Sequence, residues 1–309
     1  MEKKWKSDWD WKGRVDLPKG EDVLRFHQII EPTENLAQIA IIGYAVDYGV
    51  ELNQGRIGAA EGPSAIRKNL ASLPVHFSAD FKITDLGDVS CEDRQLRNAR
   101  AELSSLVEIA LKNNSFPLVL GGGHDMSAGT HRGIKSFFGE KKIGIINFDA
   151  HFDLRSDQYG SNSGTPFYEI LTNSNSTYMA MGIQPMANTK RLFDTAKELD
   201  TPYFTADDLR YLDPTQISET LNSFISWVDH IHLSVDLDVF GIAFAPGVSA
   251  PSSLGLMPEQ VIPYLKRILN SGKVVAMDIA ELNPVYDIDQ RTSKLAAAIV
   301  FEALNTLMG

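Results

Sequence analysis

"IGIINFDAHFDLR" (143–155) joins an unbroken apolar run to a tail in which Asp149, His151, Asp153 and Arg155 occupy alternate positions. A short run rich in Ile with no polar alternation predicts a strand buried on both faces, as in a parallel sheet. A buried strand that ends in charge needs a reason, because unpaired buried charge is costly. In an extended segment residues i, i+2 and i+4 face one side, so the pleat is expected to aim Asp149, His151 and Asp153 at one site.

The same pattern recurs along the chain. Strands are predicted at 38–47, 116–120, 142–148, 177–183, 230–239 and 273–279, with a weaker one near 202–204. Helices are predicted at 63–70, 93–113, 214–227, 258–270 and 289–308, three of them opening on Pro and one stopping before Gly272. This alternation predicts an α/β fold with a mostly parallel sheet covered on both faces. No repeat or linker divides residues 1–309, so a single domain is expected, preceded by an N-terminal extension of about 1–34.

The composition is that of a globular protein, with 43% hydrophobic and 22% charged residues. A net charge of −11 argues against a nucleic-acid or anionic-membrane partner. The single cysteine, Cys91, forms no intramolecular disulfide and is expected to be a partly buried filler. The first twenty residues are polar and charged, without the apolar core of a signal peptide, so a cytoplasmic protein is expected. Trp5, Trp9 and Trp11 in that stretch are expected to pack on the domain surface.

Four polar clusters directly follow apolar runs: "GGGHD" (121–125), "DAHFD" (149–153), "SVDLD" (234–238) and "DIAEL" (278–282). In open α/β sheets the ligand crevice lies beyond the carboxyl ends of the strands. Taken singly, an Asp-x-Asp or a lone His is ordinary; several such clusters at buried strand ends are not. His124, Asp149, His151, Asp153, Asp236 and Asp238 provide four carboxylates and two imidazoles. That hard, oxygen-rich set suits Mn²⁺, with Fe²⁺, Co²⁺ or Zn²⁺ as substitutes. Four carboxylates exceed the need of one divalent ion and match two ions better.

With their order along the chain, "GGGHD", "DAHFD" and "SVDLDVFGIAFAPG" resemble the metal motifs of the ureohydrolases, the arginase and agmatinase family. The resemblance implies a three-layer α/β/α fold and a binuclear manganese site. It implies one Mn²⁺ held by His124, Asp149, Asp153 and Asp236, and a second held by Asp149, His151, Asp236 and Asp238. "GVELNQGRIGAAEGPSAIR" (49–67), "SGTPF" (163–167), "APGVSAP" (245–251) and "ELNPVYDIDQRTSKLAA" (281–297) are similar to formimidoylglutamases, which hydrolyse N-formimidoyl-L-glutamate to L-glutamate and formamide. Arginases carry a proton-transferring His where this chain has Phe167, which cannot move a proton.

Asp153 and Glu281 are the catalytic candidates: Asp153 as a ligand that also serves as general base, against ligation alone, and Glu281, by the resemblance, as the acidic residue that orients the amidinium. Arg155 suits a substrate carboxylate, with Ser163 and Thr165 adding hydroxyls and Arg56 a weaker candidate. The expected partner is a small acidic amidine, and the family implies a homo-oligomer. Two other readings compete: a guanidine-type ureohydrolase releasing urea from agmatine, guanidinobutyrate or arginine-like compounds, and a non-catalytic metal-binding protein of the same fold.

Overall fold

The computed structural model describes residues 7, 9–31, 37–78 and 80–309, so Trp5 lies outside it. Its strands are β1 (Ile30–Glu31), β2 (Ile39–Tyr44), β3 (Ile83–Val89), β4 (Phe116–Gly121), β5 (Ile143–Phe148), β6 (Thr177–Ile183), β7 (Tyr203–Thr205), β8 (His230–Asp236) and β9 (Val274–Ala280). They form one sheet in the order β1-β3-β2-β4-β9-β8-β5-β6-β7. Every pairing is parallel.

The helices are α1 (Tyr48–Leu52), α2 (Gly62–Leu70), α3 (Leu96–Lys112), α4 (Met126–Phe138), α5 (Pro166–Asn173), α6 (Lys190–Glu198), α7 (Ala206–Tyr211), α8 (Pro214–Trp227), α9 (Pro258–Leu269) and α10 (Arg291–Met308). Successive strand residues serve opposite layers. Ile39, Ile41, Leu118, Leu120, Ile146 and Phe148 pack with residues of α2, α8, α9 and α10. Ala40, Ile42 and Val119 pack with α3 and α4. Ile145, Tyr178 and Ala180 pack with α5 and α6. The three-layer α/β/α architecture follows directly from strands apolar on both faces. No helix among the described residues is long and apolar enough to cross a membrane.

Several elements, α1 and α4–α7 among them, were not expected from the sequence, and two further features differ from the expectation. Part of the predicted N-terminal extension belongs to the fold: Phe26 and Ile29 are buried in the main core, and Ile30–Glu31 pairs with β3 at the sheet edge. Trp11 Nε1 donates to Asp85 Oδ2 at 2.8 Å. Strand β3 itself was unexpected. Its sequence "ITDLGDV" holds two Asp and a Gly, yet Asp85 is buried because Arg67, also fully buried, grips it through Nε and Nη2 at 2.9 Å each.

Candidate metal centre

β4, β9, β8 and β5 are neighbours at the centre of the sheet, and their carboxyl ends carry the four polar clusters. Between β4 and His124 the chain runs through Gly121–Gly123. Gly122 N–H donates to Tyr44 O, and Gly122 O accepts from Glu281 N–H. A Cβ at Gly122 would lie 2.3 Å from the carbonyl oxygens of Tyr44 and Val46, so only glycine passes here.

The pleat does not aim these candidate ligands, contrary to the expected alternation. β5 ends at Phe148, and Asp149 Oδ1 accepts the His151 N–H at 2.6 Å, closing a turn. Asp153 then takes a left-handed φ of 48°. Likewise Asp236 ends β8, and its Oδ1 accepts the Asp238 N–H at 2.8 Å. Turns bring these side chains together, and the turns use one oxygen of Asp149 and of Asp236. Glu281, just beyond β9, also has positive φ, at 66°. Strained backbone of this kind on non-glycine residues concentrates at functional sites.

His124 Nδ1 lies 3.3 Å from Asp149, 3.0 Å from Asp153 and 3.1 Å from Asp236, measured to Oδ2 of each. A hard cation with bonds of about 2.1 Å sets adjacent donors about 3 Å apart, which is the spacing seen here. His151 Nδ1 lies 2.9 Å from Asp238 Oδ2 and 3.6 Å from Asp149 Oδ1. Two groups with converging donor atoms result: His124, Asp149, Asp153 and Asp236; and Asp149, His151 and Asp238. Asp149 belongs to both. Asp236 falls in the first group only, whereas the sequence reading placed it in both. Behind the centre, His124 Nε2 meets Ser234 Oγ at 2.9 Å, which leaves Nδ1 facing the carboxylates.

The charges are poised for a cation. Burial, reinforced by the Asp149 charge, pushes the Asp153 carboxyl up to about 6. Burial with the charges of Asp238 and Asp149 pushes Asp236 up to about 7. Burial, and then Asp149, raises Asp238 to about 6 against the pull of His151. Asp149 moves down, because hydrogen bonds from His124 and His151 outweigh its burial. Surrounding carboxylates hold both imidazoles protonated well above their usual range, despite burial.

Cation binding must expel those protons, so Mn²⁺ affinity is expected to rise with pH and to fall steeply as pH drops through about 7 to 6. The linkage sign for the metal-free fold is opposite. Carboxyls raised from 3.8 to about 6–7 stabilise it while protonated; that stability is full below 3.8 and is lost as pH rises from there through about 6–7. Calorimetric Mn²⁺ titrations at pH 5.5 and 8 check this; a pH-independent affinity contradicts it.

A cavity of about 320 Å³ opens over the cluster, lined by His151, Asp153, Asp236, Asp238 and Glu281, and on its outer wall by Asn53, Arg56, Arg155, Ser163 and Ser249. Glu281 Oε1 accepts the His124 N–H at 3.0 Å, while Oε2 is buried without a hydrogen-bond partner among the described residues. Arg155 is exposed at the cavity mouth, and no carboxylate pairs with it among the described residues. Arg56 is otherwise engaged: its guanidinium bonds the carbonyls of Val248 and Ser249 and stacks 4.1 Å over Tyr286.

Thr165 is not at the cavity. It is fully buried, and its hydroxyl donates to Glu169 Oε1 at 2.5 Å, so the expected substrate contact gives way to an internal bond. Phe167 is also fully buried, edge-on to His124 at 5.2 Å and stacked on Tyr178 at 4.4 Å between ring centres. It packs behind His124 rather than facing the cavity. Asn53 was missed by sequence reading. It lines the cavity and donates to Ser163 Oγ at 3.2 Å, and its only sequence signal was its place in "ELNQGRIG".

A parallel three-layer fold with two carboxylate–imidazole groups beyond adjacent central strands defines a metallohydrolase-like centre. An arginase-family profile matches residues 37–305, and the chain belongs to the arginase family. The formimidoylglutamase of Macrococcus caseolyticus is 43% identical over 282 residues, covering 90% of this chain and 89% of that protein. That of Clostridium tetani is 39% identical over 317 residues, covering 96% and 94%. The solved formimidoylglutamase of Bacillus subtilis superposes with a TM-score of 0.85 at 26% identity, covering 94% of each chain. Trypanosoma cruzi formiminoglutamase, solved with Mn²⁺, gives 0.81 at 26% identity, covering 88% of this chain and 94% of that one.

Proposed function

We propose that this chain hydrolyses N-formimidoyl-L-glutamate to L-glutamate and formamide. Arg155 carries the reading. A guanidinium with no carboxylate partner among the described residues stands at the mouth of a cavity whose floor is acidic, and relatives that match over nearly the whole chain are formimidoylglutamases. The substrate has the opposite polarity, with an amidinium at one end and carboxylates at the other.

His124, Asp149, Asp153 and Asp236 would hold one manganese ion, and Asp149, His151 and Asp238 the other. When bound, the two ions supply a hydroxide nucleophile at neutral pH and neutralise the carboxylates. The side chains do the rest. The free oxygen of Glu281 pairs with the amidinium and sets its carbon over the nucleophile. Arg155 takes a substrate carboxylate in its planar fork, with Ser163 and Asn53 beside it. Asp153 holds the proton released in the attack and returns it to the glutamate nitrogen as the C–N bond breaks, leaving formamide and the amine. The reading extends to assembly as a homo-oligomer and action in the cytoplasm.

Product analysis tests the substrate. Equal release of glutamate and formamide supports the proposal; urea from agmatine or guanidinobutyrate, without formamide, replaces it with the guanidine reading. Arg155→Ala is expected to raise KM about 50-fold with kcat little changed, as loss of a charge-assisted contact made equally in ground and transition states. An unchanged KM removes Arg155 from the site.

A further inference from the structure

Arg100 and Asp125 are buried charges that neither the metal cluster nor the cavity uses. Arg100, on α3, is 4% exposed, and Asp125, directly after the ligand His124, is fully buried. Asp125 Oδ2 accepts from Tyr44 Oη at 2.7 Å and from Arg100 Nε at 3.3 Å. On its other side Arg100 Nη1 donates to Glu169 Oε2 on α5 at 2.8 Å. Glu169 Oε1 in turn accepts the Thr165 hydroxyl. A polar chain therefore runs from the metal-ligand turn through α3 and α5 to the loop 162–165.

That loop is a wall of the cavity. Asn162 N–H donates to Thr165 Oγ1 at 3.1 Å, and Gly164 N–H donates to Asn162 Oδ1 at 2.9 Å. Ser163 N–H donates to Gly49 O at 3.1 Å, and Arg155 N–H donates to Gly164 O at 3.0 Å. Gly49 packs against the far end of the same chain, where a Cβ would lie 2.1 Å from Asp125 Oδ1. The loop is thus held at one end by Thr165 and along its length by the segment that bears Asn53.

Buried ion pairs add little net stability, since desolvation offsets their attraction. Apolar side chains would fill this space with less penalty. What a planar guanidinium between two carboxylates provides is fixed relative position. We propose that the Asp125–Arg100–Glu169–Thr165 chain positions the 162–165 loop, so that Ser163 and Asn53 stand against Arg155 to receive the carboxylate end of the substrate. These are positioning residues: none of the four lines the cavity. Their effect falls on substrate capture and not on the chemical step. The inference rests on the formimidoylglutamate reading for the identity of that carboxylate.

Thr165→Val tests it, with Thr165→Ser as the conservative control. In the manganese-loaded full chain, Thr165→Val is expected to raise KM for formimidoylglutamate about fivefold, as one charge-assisted hydrogen bond is lost at a distance, with kcat and metal content retained. Amide hydrogen exchange at 162–164 rises in the same variant. Thr165→Ser restores both readouts. Unchanged KM and unchanged exchange in Thr165→Val overturn the proposal, as does a parallel fall of kcat with loss of manganese, which places the effect at the metal centre. If the wild type fails to hydrolyse formimidoylglutamate, the substrate reading falls, and exchange at 162–164 still decides whether Thr165 holds the loop.

Discussion

Asp149→Asn is expected to abolish manganese retention and lower kcat/KM by about three orders of magnitude or more, the scale of losing a ligand shared by two ions. Asp149 is fully buried and is the one residue common to both donor groups. Its Oδ1 closes the turn to His151, and its Oδ2 accepts Asn147 Nδ2 at 2.9 Å while facing His124. An amide keeps the shape but removes the charge and half the acceptor capacity. Both imidazoles lose the carboxylate between them, so neither group retains its compensation. Elemental analysis checks the outcome directly. A folded Asp149→Asn protein that still carries two manganese ions and hydrolyses substrate at near wild-type rate would contradict the shared-ligand role.

Glu281→Gln is expected to lower kcat/KM by about 10²–10³ while leaving both ions in place, the magnitude of losing a charged partner to a developing charge in a desolvated site. Glu281 belongs to neither donor group, so metal content separates this effect from the first. The glutamine carbonyl can still accept the His124 N–H that now binds Oε1. What disappears is the acidic oxygen Oε2, which lacks a protein partner among the described residues; burial and the Asp236 charge hold this carboxyl well above its usual range, so its charge is taken up together with the bound cations and the amidinium. Because the amidinium must be held through the attack, the loss is expected mainly in kcat. Unchanged kinetics would reduce Glu281 to a backbone anchor for the His124 turn.

Much of this was legible in the sequence for one physical reason. Strands buried on both faces write their burial as unbroken apolar runs, and charge directly after such a run is conspicuous. The six residues of the two donor groups, and Glu281 beside them, stand directly after such runs. What escaped reading was whatever depended on tertiary partners. β3 hides because Asp85 is tolerable in a strand only beside Arg67, from another element. α4 hides because Gly129 and Gly133 look like helix breakers. In the fold they let α3 approach closely, and a Cβ at Gly133 would meet Ser104 O at 2.6 Å. Alternation pointed to the residues of the donor groups for an incomplete reason, since turns closed by the Asp149 and Asp236 carboxylates, and a left-handed Asp153, bring them together. Thr165 misled because a hydroxyl in a candidate loop carries no mark of whether it faces substrate or a buried glutamate.

The most direct measurement is hydrolysis of formimidoylglutamate by metal-free protein titrated with Mn²⁺, with glutamate and formamide both quantified. The binuclear centre predicts no turnover without metal, activity that saturates at about two manganese ions per chain, and equal amounts of the two products. Protein carrying two manganese ions that binds formimidoylglutamate but releases no glutamate would contradict the account.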